Sequence, residues 1–244
     1  AYALQNLIQS RAIQRNWKVK FPADQKYRNR REWNFNYEPH VRQQLAYDLM
    51  HLAGVRLPSA RHVGLMLNGK AHGAFLEFED PDNKDFLSEQ FGDKTGDLFK
   101  AAQDTPGLPR YFATFEVLGT SDEDYYLHFN QKASNDASKA KDFSRLRAFI
   151  EDLNSVADDE FVAWFEKNLD VPKFLSCLVV SNFISNWDGY PQRPKNFWLY
   201  QIPSAQRWVY IPWDMDGTFQ SKTFILNAMG TESSIFYQFD ETLP

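Results

Sequence analysis

Residues 181–219 read SNFISNWDGYPQRPKNFWLYQIPSAQRWVYIPWDMDGTF. Two runs rich in aromatic and β-branched residues, NFWLYQI (196–202) and RWVYI (207–211), flank a Pro-Ser-Ala-Gln turn. That pattern predicts a β-hairpin. A hairpin brings the NWD turn at its start close to the DMD turn at its end. Asn186, Asp188, Asn196, Asp214 and Asp216 are then delivered on loops tied to one rigid element. Carboxylates and amides so placed are what a divalent metal with phosphate ligands requires.

Working outward, 244 residues suffice for one large domain or two small lobes with a substantial core. Apolar residues make up 43% and charged residues 24%, which argues against disorder. The net charge of −5 gives no overall basic signature for nucleic acid. The positive charge is uneven, though, and eight Lys and Arg residues between Arg11 and Arg31 make a local cationic stretch that could meet phosphate or simply be solvated. A single cysteine, Cys177 in the apolar run FLSCLVV, rules out an intrachain disulfide and a cysteine metal cage, and reads as a buried, inert thiol. No apolar run reaches transmembrane length, and none reads as a signal peptide.

In chain order, residues 1–13 fit helix and strand equally. NWKVKF (16–21) alternates like a half-buried strand. A polar loop, ADQKYRNRREWNFN, follows, and then a helix from Glu38 to Ala53 with Val41, Leu45, Leu49 and Leu52 as its apolar stripe and Gly54 as its stop. Asn68-Gly69 signals a second hairpin within ARHVGLMLNGKAHGAFLEFED. FLSEQF reads as helix and GDLFKA as strand, whereas 119–142 reads as polar surface loop or the start of a helix. Helical spacing recurs at 143–153 and 158–169, with Asp158 or Asp159 as N-cap. Pro172 opens a third helix that is apolar almost all round, which predicts a central position.

A helix ending in a polar turn, then a hairpin, then an acidic turn is the order of parts in a kinase catalytic lobe. His-Arg-Asp, Asp-Phe-Gly and Gly-x-Gly-x-x-Gly are all absent from the sequence. The run NWDGY…KNFWLY…WVYIPWDMDGTF resembles the signature of the CotH family, spore-coat and surface proteins with an atypical protein-kinase fold. LNGKAHGAFLEFED (with Gly73, Phe75 and Glu79), GDLFK (96–100) and EPHVRQQLAYDLMHLAG are similar to further pieces of that family, so the likeness covers about residues 15–220.

The resemblance implies an α+β, kinase-like two-lobed fold. A small strand/helix lobe would span about 1–80, and a larger, mainly helical lobe with the catalytic hairpin about 81–244. It implies Asp188 as the catalytic residue, Asn196, Asp214 and Asp216 as metal ligands, and Arg15, Lys18, Glu79 and Lys100 as cofactor-binding residues. ATP with Mg2+ or Mn2+ is the implied cofactor, and Ser/Thr of a protein substrate at a coat or cell surface the implied acceptor. The family's Arg-Gly and following Lys are missing: QSRAIQRNWKVKF has Gln14-Arg15 where that Lys should fall, and an arginine does not reproduce its geometry. On the residues alone, Asp188 also fits a helix-end cap, Asn196 a strand-start cap and Asp216 a plain turn. A non-catalytic binding module and a carbohydrate-active enzyme with paired carboxylates are the competing classes.

Overall fold

The computed structural model describes residues 16–37, 41–101, 112–133, 141–190 and 192–219. These build an α+β protein with two four-stranded antiparallel sheets and six α-helices among the described residues. The first sheet contains β1 (Trp17–Lys20), β2 (Glu32–Asn36), β3 (Ala60–Leu67) and β4 (Lys70–Phe78), in the order β1-β2-β4-β3. The β3–β4 hairpin turns at Asn68-Gly69, where both residues have positive φ (50° and 76°), as a two-residue I′ turn demands.

Strand β2 lies inside the stretch read as polar loop. Its alternation puts Trp33 and Phe35 into a small cluster with Phe75 on one face of the sheet. The other face supplies Leu76 and Phe78 to the main core. Helix α1 (Arg42–Leu52) also departs from expectation. It buries Gln43, Ala46, Tyr47 and Met50, and leaves Val41, Leu45 and Leu52 exposed. The helix packs against β3 and against the acidic turn at the end of the chain's second hairpin, and Tyr47 is buried within range of the Asp214 charge on that turn. Gly54, in the left-handed region, ends the helix as predicted.

The second sheet runs β6-β5-β7-β8, with β5 (Leu98–Ala101), β6 (Phe129–Ala133), β7 (Phe197–Ile202) and β8 (Arg207–Pro212). The predicted hairpin is β7–β8, but it belongs to a whole sheet, because β6 forms within the segment expected to be loop. Helix α2 (Lys84–Phe91) is capped by the Asn83 side chain and stopped by Gly92, and α3 (Asp122–Tyr126) opens with a Ser121–Asp124 capping box. Helices α4 (Ser144–Ser155), α5 (Phe161–Asn168) and α6 (Val171–Phe183) follow. The N-cap of α5 is Glu160, not Asp158 or Asp159.

Helix α6 is not buried all round: Phe174 and Cys177 face the core, while Leu175, Val179 and Phe183 face solvent. Burial pushes the Cys177 thiol up to about 12, so it is inert as expected. The main core is continuous across both sheets, and Phe78 of β4 meets Trp213 edge-on at 5.2 Å. No helix among the described residues is long and apolar enough to cross a membrane.

Candidate active site

The two acidic turns meet because the backbone ties them together. Trp213 N–H donates to Asn196 O at 2.9 Å, one step beyond the Phe197–Pro212 pair of the hairpin. Phe219 N–H donates to Ile184 O at 2.8 Å, which returns the chain to the end of α6, two residues before Asn186. Between these ties lies a 3-10 turn, Met215–Gly217. A Cβ on Gly217 would sit 2.8 Å from Asp188 Cβ and 3.3 Å from Trp187 Nε1, so only glycine lets this turn pack on the NWD turn. Asn196 and Asp214 both adopt left-handed backbone (φ 57° and 51°), which Asn and Asp tolerate better than most residues.

Asp188 is the hub of the side-chain contacts. Asn196 Nδ2 donates to Asp188 O at 2.8 Å and to its Oδ2 at 3.2 Å. Lys195 Nζ lies 2.7 Å from the same Oδ2. The other oxygen, Oδ1, is buried without a hydrogen bond, and its nearest cation, Arg193, stands 3.7 Å away with its guanidinium over the Trp187 ring.

Burial pushes the Asp214 carboxyl up to about 6, and the charges of Asp216 and Asp188 add to this, while Lys100 and Lys195 oppose it. Asp216 is open to solvent on its outer side, yet the protein crowded around it, together with the charge of Asp188, also raises its carboxyl; Lys195 and Arg42 pull the other way. The Lys100 ammonium sits over two indoles, 5.4 Å from the Trp198 ring and 5.8 Å from the Trp213 ring. Tyr47 is fully buried, and its hydroxyl is raised by that burial and by the facing charge of Asp214.

Asp214, buried and facing the charges of Asp216 and Asp188, sits in an environment that a divalent cation relieves. Among the described residues no three His, Cys, Asp or Glu side chains stand close enough to ligate one ion. Mg2+ needs no such cage, because it keeps several waters and takes one or two carboxylates plus phosphate oxygens. Asp214 with the Asn196 amide fits that requirement, and Asp216 lies one residue beyond Met215 on the same turn.

The structure thus gathers Asp188, Asn196, Lys100, Asp214 and Asp216, and leaves two predicted residues outside this cluster. Glu79 is buried against Arg30 at 2.6 Å, and Arg30 in turn grips Glu89. Lys18 pairs with Asp80 at 2.8 Å and Glu32 at 3.4 Å, on the wall of a cleft of about 500 Å3 that Arg31, Asp82 and Lys84 also line. Arg15 lies outside the described residues. Lys18, Lys20, Lys26, Arg28 and Arg30 of the cationic stretch all carry acidic partners, so that face is neutralised rather than open for phosphate. Sequence reading missed Lys195, Arg193, Tyr47 and the Trp198/Trp213 pair. Lys195 carried a usable signal, a cation directly before Asn196 in a loop of acids and amides.

The profile of the CotH kinase protein family matches residues 7–242. The chain belongs to the CotH family. Among curated proteins it is 26% identical over 208 residues to the inner spore coat protein H of Bacillus subtilis (strain 168), covering 84% of this chain and 54% of that protein. It is 25% identical over 191 residues to invasin CotH3 of Rhizopus delemar, covering 73% of this chain and 29% of the invasin. Invasin CotH2 of the same organism matches at 23% over 184 residues, 73% of this chain and 30% of its own. The chain therefore spans about half the length of the CotH relative from Bacillus, and less of the invasins. Among solved structures, a chain from the HipA, HipB and operator DNA complex of Shewanella oneidensis MR-1 aligns over 90% of this chain and 52% of its own, at 13% identity and a TM-score of 0.34.

Proposed function

We propose that this CotH-family chain binds ATP with Mg2+ or Mn2+ between its two sheets, as a two-lobed kinase does, and directs the γ-phosphoryl to a Ser or Thr hydroxyl of a coat or surface protein. The observation that carries the reading is the contact of Asp188, Asn196 and the Asp214 turn, enforced by Gly217. The divalent ion, held by Asp214 and Asn196 with Asp216 adjoining, would neutralise phosphate charge. Lys195 fixes the Asp188 carboxylate through Oδ2 and leaves Oδ1 with a free lone pair. The Asp188 carboxylate, held in one orientation, is the group that would orient the acceptor hydroxyl and take its proton. Lys100, held over its two indoles beside Asp214, supplies a fixed positive charge for a phosphate oxygen.

Thermal denaturation with and without ATP and Mg2+ or Mn2+ tests the nucleotide part, because a ligand bound only by the native state must stabilise it. A rise in Tm that disappears in Asp214→Ala supports it; no rise at saturating nucleotide, or an equal rise in the variant, removes it. The second reading, a non-catalytic binding or adhesion module at a coat or cell surface, draws on the invasin names of two relatives. Equal label transfer by wild type and Asp188→Ala decides for the second reading.

A further inference from the structure

Helices α1 and α6 lie antiparallel. Gly54, just past the end of α1, approaches the first turn of α6, where a Cβ on it would come within 2.6 Å of Lys173 Nζ. At the opposite end, α1 packs on the Met215–Gly217 turn, and Phe219 bonds back to Ile184 at the C-terminus of α6. Each helix turns one face into the core and an apolar face outward: Val41, Leu45 and Leu52 on α1, Leu175, Val179 and Phe183 on α6. Their exposures run from 44% for Leu45 to 83% for Leu52. On α6 the spacing is i, i+4, i+8, so these side chains form one continuous ridge.

We infer that this two-helix face is a self-association surface, whose occupant is the same face of a second copy of this chain. Six such side chains present on the order of 600 Å2 of apolar surface, at the upper limit of what monomers expose and close to the ~800 Å2 per partner of a standard interface. An antiparallel helix pair suits a twofold axis across it, which lays α1 of one copy along α6 of the other and makes the contact isologous. The six positions carry no charge, so no complementary charge is needed from a different partner; Asp48, exposed between Leu45 and Leu52, is the one acid within the α1 half of the face. This inference does not rest on the nucleotide reading, and either can fail without the other.

Sedimentation velocity over on the order of 1 to 100 µM protein tests it. A concentration-dependent dimer is expected, with its Kd raised at least tenfold in Val179→Lys and in Leu52→Lys. Both substitutions are at exposed sites, and unchanged far-UV circular dichroism checks their folding. A monomer throughout the range, or a dimer indifferent to both lysines, overturns the inference. So does a monomeric Val179→Cys variant whose introduced thiol resists maleimide, since another part of the chain then covers the face.

Discussion

Replacing Asp214 with asparagine should stabilise the metal-free protein. The carboxyl is pushed up from 3.8 to about 6 mainly by burial. At about 1.4 kcal/mol per pH unit, that gap makes the ionised carboxylate cost the fold up to about 3 kcal/mol. Partial solvent contact and the opposing Lys100 reduce the recoverable part, so about 1–2 kcal/mol is expected. For a chain of this size that is a Tm increase of about 2–8 °C. Asparagine accepts the left-handed backbone at this position, so it adds no strain of its own. The sign follows from linkage: the folded protein binds this proton more tightly than the unfolded chain, so stability falls as pH rises from about 4 to about 6 and is level above. Thermal denaturation in EDTA should therefore show the gain at about pH 7.5 and lose it by about pH 4. A variant no more stable than wild type at about pH 7.5, or an equal difference at both pH values, refutes the burial argument.

Asp188→Asn should keep the nucleotide-dependent rise in Tm and lower label transfer by about 10²–10⁴-fold; parallel thermal and transfer assays on one preparation check this. Gly217→Ala drives a Cβ to within 2.8 Å of Asp188 Cβ, and urea denaturation should record a loss of about 1–3 kcal/mol. Arg30→Ala strands the buried Glu79 carboxylate and should cost about 3–5 kcal/mol by the same assay. Arg28→Ala, at a side chain 45% exposed, should cost under about 1 kcal/mol, since Arg61 still holds Glu77.

Both hairpins are legible because their turns carry local chemistry, Asn68-Gly69 in one and Pro-Ser-Ala-Gln in the other. The acid and amide residues can be placed because the hairpin fixes where its ends lie. Strand β2 escapes a sequence reading although its alternation is present, because two aromatics among polar residues resemble a loop until β1 and β4 pair with them. Helix α1 misleads about its inner face: its strongest apolar stripe points outward, and the inward side is set by Tyr47 and Gln43 meeting the acidic turn. The same inversion affects α6, where apolarity all round does not mean burial all round. Periodicity reports which residues share a face, not which face finds a partner. The partners of Lys195 and Lys100 emerge only in three dimensions, Asp188 for one and two indoles far away in sequence for the other.

The central claim is that the Asp188–Asn196–Asp214 cluster holds a metal–nucleotide complex. Anomalous diffraction from crystals grown with Mn2+ and a non-hydrolysable ATP analogue measures this directly. An Mn2+ peak is expected at coordination distance from the Asp214 carboxylate and the Asn196 side-chain oxygen, with phosphate oxygens completing its shell. An analogue bound with its metal elsewhere, or no metal peak at this cluster, contradicts it.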